Sequence, residues 1–107
     1  VAQVETRVEA PSADRGARPR TIARLWLDAV ENNRPEPAYL AERDGHWEPV
    51  SWPEAARAVD ELAHGLLSLG IRKGDAFALF AGTSVEWVLF DFALGLIGAV
   101  GAPIYMN

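Results

Sequence analysis

Apolar positions in this chain repeat with two spacings, one helical and one strand-like. Ile22, Leu25, Trp26, Ala29 and Val30 stand at i, i+3, i+4, i+7 and i+8, which lays them along one face of a helix. Thr21 precedes that run as an N-cap, and Asn32-Asn33 followed by Pro35 and Pro37 predicts its end. The residues ahead of it are polar, contain Pro11 and Pro19 and keep no sustained period. Residues 1–20 are therefore expected to form a flexible N-terminal tail, with a short extended piece at Val4 and Val8.

Strand-like runs at 39–41 and 47–50 flank Arg43-Asp44-Gly45-His46. Asp-Gly between two such runs predicts a hairpin, because glycine accepts a positive φ without strain. Pro49 has no N–H to give to a ladder, so its strand belongs at a sheet edge. The charged tip is expected to project from the body.

Ser51-Trp52-Pro53-Glu54 has the spacing of a capping box, with proline in the first turn where its missing N–H costs nothing. Trp52, Ala55, Ala56, Val59, Leu62, Ala63, Leu66 and Leu67 then form one apolar stripe, opposite Glu54, Arg57, Asp60, Glu61, His64 and Ser68. Gly70 followed by Ile71 predicts a Schellman stop, with Ile71 folding back towards Leu66.

The run 76–81 is apolar without alternation, the mark of a strand covered on both faces, as in a parallel sheet. Thr83 and Glu86 are spaced as a second capping box, and helix 84–97 follows with only Glu86 and Asp91 charged. A further strand begins in Gly98-Ala99-Val100-Gly101-Ala102-Pro103-Ile104-Tyr105. Strand, helix and strand make one βαβ unit, so the fold class is α/β, a hairpin plus a βαβ unit. Helix 84–97 carries more apolar surface than these elements offer partners for, so self-association through it is expected.

Composition narrows the function classes. Of 107 residues 50% are hydrophobic and 23% charged, the balance of a soluble globular chain rather than a disordered one. Ten basic against fifteen acidic residues leave a net charge of −5, which argues against a nucleic-acid partner, since counterion release needs a basic surface. There is no cysteine, which excludes disulfides, thiolate nucleophiles and iron–sulfur clusters. Residues 87–104 are long enough to span a bilayer, but Asp91, Gly95, Gly98, Gly101 and Pro103 interrupt them. No transmembrane segment and no secretory signal are expected, and the location expected is cytoplasmic.

Candidate chemistry is sparse. Gly82-Thr83-Ser84 lies between a strand and a helix start, where free amides favour an anion. It lacks G-x-G-x-x-G and a following Gly-Lys-Ser/Thr, and reads as an ordinary capped turn. His46 and His64 have no companion at metal-ligand spacing and read as surface residues. Asp91, a carboxylate on an apolar helix, is read either as a buried functional acid or as the partner of an arginine or a cap. Trp52 and Trp87 read as packing anchors. No catalytic, cofactor-binding or metal-binding residue is assigned.

The order of these elements resembles the opening of the adenylate-forming, AMP-binding superfamily. The residues that carry the resemblance are Val50-Ser51-Trp52-Pro53-Glu54-Ala55 and Leu66-Leu67-Ser68-Leu69-Gly70-Ile71-Arg72-Lys73-Gly74-Asp75. The pattern Glu86-Trp87, Asp91, Ala93, Gly98-Ala99-Val100 and Pro103-Ile104-Tyr105 is similar to the long-chain fatty-acid–CoA ligase (acyl-CoA synthetase) branch. Met106-Asn107 stands where that pattern usually continues with Pro-Thr.

The resemblance implies that residues 21–107 are the N-terminal part of the adenylation domain, an incomplete piece of a large N-terminal domain. It further implies a ligase that uses ATP, Mg²⁺ and coenzyme A to activate a long-chain fatty acid, first to acyl-AMP and then to acyl-CoA. The family's phosphate loop, Thr-Glu motif, ribose-binding Asp and lid Lys are absent from this sequence. None of the cofactors is therefore expected to bind the fragment, which should be inactive alone and have the remainder of the same enzyme as its partner. Two alternatives stand beside this reading: a stand-alone interaction or oligomerisation module, and another adenylate former such as a fatty acyl-AMP ligase or a peptide-synthetase adenylation domain.

Overall fold

A computed structural model of the chain describes residues 20–104. The expected tail, apart from Arg20, and Tyr105 at the end of the last strand lie outside the described residues. The first helix, α1, runs Ile22–Asn32. The Arg24 N–H donates to Thr21 Oγ1 at 3.0 Å, and Asn33 closes the helix in the left-handed region at φ 42°. Trp26 is its buried residue, while Ile22 and Leu25 are exposed.

Strands β1, Tyr39–Arg43, and β2, His46–Val50, pair antiparallel with Arg43 opposite His46 and Tyr39 opposite Val50. Asp44 and Gly45 both have positive φ, 51° and 84°, as expected for a type I′ turn, whose twist matches that of the strands. Glu42 Oε2 accepts from the Gly45 N–H at 2.8 Å and holds the turn. Arg43 at the expected projecting tip reaches back to Glu86, so the tip is tied to the body.

Helix α2, Trp52–Ser68, begins with the expected capping box. The Glu54 N–H donates to Ser51 Oγ at 3.2 Å, and the Ser51 N–H donates to Glu54 Oε1 at 2.9 Å. It ends at Gly70, φ 94°, with the Ile71 N–H on the Leu66 carbonyl at 3.1 Å and the Gly70 N–H on Leu67 at 3.0 Å, the Schellman pattern. Trp52, Ala55, Val59, Ala63 and Leu66 are buried as the stripe requires, whereas Leu67 is 43% exposed. Leu67 lies at the margin of the stripe, one position round from Leu66.

Strand β3, Ala76–Leu79, and β4, Val100–Pro103, pair parallel, with Phe77 opposite Gly101. Between them runs helix α3, Val85–Ile97, which completes the βαβ unit. The strand is shorter than the expected 76–81, and its burial alternates rather than being continuous. Phe77 and Leu79 turn inward, while Ala76, Ala78 and Phe80 are exposed. One layer of helix covers one face of the pair, and the other face is bare among the described residues. The expected second capping box does not form. Ser84 is the N-cap and accepts from the Trp87 N–H at 3.2 Å, which puts a tryptophan at the N3 position where a returning carboxylate is needed. Glu86, one place early for that role, pairs with Arg43 instead.

The core is one cluster centred on α2 and α3, with Trp26 from α1 and Leu79 from β3. Ala55, Val59 and Ala93 are fully buried and Leu94 nearly so, and alanines at such a contact let two helix backbones approach closely. Every apolar side chain of α3 is buried or half-buried, because α1, α2, β1 and β4 all pack on it. The expected surplus of apolar surface on this helix is therefore absent. Large exposed apolar residues sit elsewhere, at Phe80, Val100 and Ile104 on the sheet and at Leu40 and Trp47 on the hairpin.

Two stability measurements check this packing. Leu94→Ala is expected to cost about 3 kcal/mol and Leu67→Ala less than about 1 kcal/mol in denaturant unfolding. Equal losses would mean that α2 faces its neighbour differently. The second uses Glu54, whose carboxyl is held below the usual range first by the Ser51 N–H and then by the Ser51 hydroxyl, with Arg57 helping. A depressed folded pKa contributes stability above the unfolded value of about 4.3 and loses it as pH falls through the folded value. Glu54→Gln keeps an acceptor without the titration, so its unfolding free energy should fall less steeply than the parent's below about pH 4.5. Parallel acid limbs would contradict the box.

Candidate functional site

The β3-to-α3 turn is the place where the sequence offers an anion cradle, and its serine hydroxyl is already engaged. Ser84 Oγ is taken by the Trp87 N–H. The positive end of the helix dipole is met by Glu86 in the first turn, and Glu86 in turn by Arg43 across the hairpin. Both charged side chains of that pair are largely exposed, 42% and 66%, so the pair contributes about 0–1 kcal/mol. It orients the hairpin against α3 rather than supplying much stability.

The two histidines are not brought together. His64 lies on the exposed face of α2 with Nδ1 2.8 Å from the Asp60 carbonyl, and donates there as a neutral tautomer or as a cation. His46 lies on β2 with Nε2 3.0 Å from Glu48 Oε2. Among the described residues no three His, Asp or Glu side chains are grouped to hold a metal ion. No helix among them is long and apolar enough to cross a membrane.

Asp91 is half-buried on the side of α3 that faces β4. Its Oδ1 lies 3.0 Å from where a Cβ on Gly101 would stand, and Leu94 Cδ1 lies 3.4 Å from that point. Among the described residues neither an arginine nor a helix cap meets Asp91, so the paired reading is not realised there. The carboxylate occupies the gap that the missing side chain of Gly101 leaves. Trp52 does pack as an anchor, with Arg34 4.9 Å above its ring. Trp26 stands between Trp52, at 6.0 Å, and Phe92, stacked at 4.6 Å. Trp87 is half-buried against the same core. Burial pushes the Tyr39 hydroxyl above the ordinary tyrosine value, so it stays neutral well past physiological pH.

Sequence reasoning missed the Arg43–Glu86 pair, the Trp26–Phe92 stack and the Asp91–Gly101 contact. Each joins residues far apart in the chain, and no local spacing signals them. Taken together the geometry of the described residues is that of a scaffold: caps, aromatic anchors and surface ion pairs such as Arg24–Asp28 and Arg43–Glu86.

Comparison with known proteins supplies what the geometry lacks. A family model described as AMP-binding enzyme matches residues 26–107. The Long-chain-fatty-acid--CoA ligase FadD15 of Mycobacterium bovis is 41% identical over 78 residues, 70% of this chain and 13% of that protein. Among solved structures, acetoacetyl-CoA synthetase from Streptomyces lividans superposes with a TM-score of 0.71 at 29% identity, over 78% of this chain and 13% of that one. The N-terminal domain of FACL13 from Mycobacterium tuberculosis does so with a TM-score of 0.70 at 25% identity, over 79% of this chain and 21% of that one. The chain thus spans 13% of the length of the ligase relative it matches.

Adding a methyl at Gly101 tests the Asp91 contact. Gly101→Ala should lose about 1–2 kcal/mol of stability through overpacking, and Asp91→Ala in the same chain should restore part of it. A double-mutant cycle measured by denaturant unfolding reads the coupling. Strict additivity would show that the two residues do not meet.

Proposed function

The chain belongs to the AMP-binding enzyme family, and from that premise we propose that residues 21–107 are the N-terminal part of the adenylation domain of a long-chain fatty-acid–CoA ligase. The observation that carries this reading is the 41% identity to a long-chain ligase over 78 residues. The expected reaction has two steps. The fatty-acid carboxylate oxygen attacks the α-phosphorus of ATP and pyrophosphate leaves, giving acyl-AMP. The sulfur of coenzyme A then attacks the acyl carbonyl and AMP leaves, giving the thioester.

Stabilising such transition states takes preorganised charge at the phosphoryl oxygens. The described residues offer no cluster fit for Mg²⁺, and no step is assigned to them. Their role in this proposal is to build and brace the sheet. The parallel β3–β4 pair leaves Phe80, Val100 and Ile104 exposed, and parallel strands are stable when both faces are covered. The remainder of the same enzyme is the partner proposed for that face, in a cytoplasmic protein.

The acetoacetyl-CoA synthetase likeness gives a second reading, an adenylate former for a shorter acid, and one assay separates them. ATP–pyrophosphate exchange by the full gene product should be faster with a long-chain fatty acid than with acetate or acetoacetate. Faster exchange with a short acid, or with an amino acid, would overturn the long-chain assignment. The 107-residue chain alone should give no exchange, and activity there would reveal a site among these residues.

The bare sheet face has its own test. In sedimentation the isolated 107-residue chain should self-associate, and Phe80→Glu should shift it towards monomer. A folded monomer that Phe80→Glu leaves unchanged would count against that face needing a cover.

A further inference from the structure

We draw no further inference here: the strongest candidate, the outward face of the β1–β2 hairpin carrying Leu40, Trp47 and Pro49, is an unpartnered apolar sheet face, and nothing in the structure shows what covers it.

Discussion

Helix α3 has to be covered on nearly every side, and the arrangement of the other elements follows from that requirement. Thirteen residues with only two charges cannot rest at a surface, because each half-exposed leucine or phenylalanine forfeits on the order of 1 kcal/mol or more of burial. The chain meets the demand by wrapping. α2 lies along one side through Ala55, Val59 and Ala63, α1 brings Trp26 against Phe92, and β4 and β1 close the remaining sides. Glu86 is the residue of α3 left in solvent, at the end where charge favours the helix dipole.

The periphery is held by local devices. Thr21, Ser51 and Ser84 each satisfy an amide that a helix start leaves open. Gly70 and Gly98 allow the chain to reverse out of a helix through a left-handed residue. At Gly98 the space is also tight, since a Cβ there would stand 2.9 Å from Lys73 Cγ. That contact packs the aliphatic stem of Lys73 on the helix end, close to where the Gly74 N–H donates to the Gly98 carbonyl. The connection into β3 and the exit from α3 are thereby joined, which sets the register of the parallel pair.

Family membership changes how the absence of a catalytic constellation among the described residues is understood. A segment that spans 13% of its ligase relative can contribute framework without contributing a reacting group. The polar side chains here fit that division. They cap helices, pin the hairpin turn or pair at the surface, and the half-buried carboxylate Asp91 fills the space above Gly101. What the framework offers outward is the uncovered side of β3 and β4, with small Ala76, Ala78 and Ala102 between larger apolar neighbours.

Local chemistry written within a few residues was legible from the sequence alone: the Thr21 cap and the end of α1, the Asp-Gly turn, the Ser51–Glu54 box, the Schellman stop at Gly70 and the strand–helix–strand order with its family resemblance. These depend on φ preferences and hydrogen bonds that close over three to six residues, so neighbours in sequence suffice to specify them. Tertiary structure decided what depends on residues distant in the chain. It paired Glu86 with Arg43, 43 positions away in the chain, while Ser84 rather than Thr83 caps α3. It exposed Leu67 and half of β3, because burial is set by which layers arrive to cover a surface, and an apolar run records only that it can be covered. It also buried α3 within its own chain, because four elements converge on it, a convergence that no periodicity along a single segment encodes.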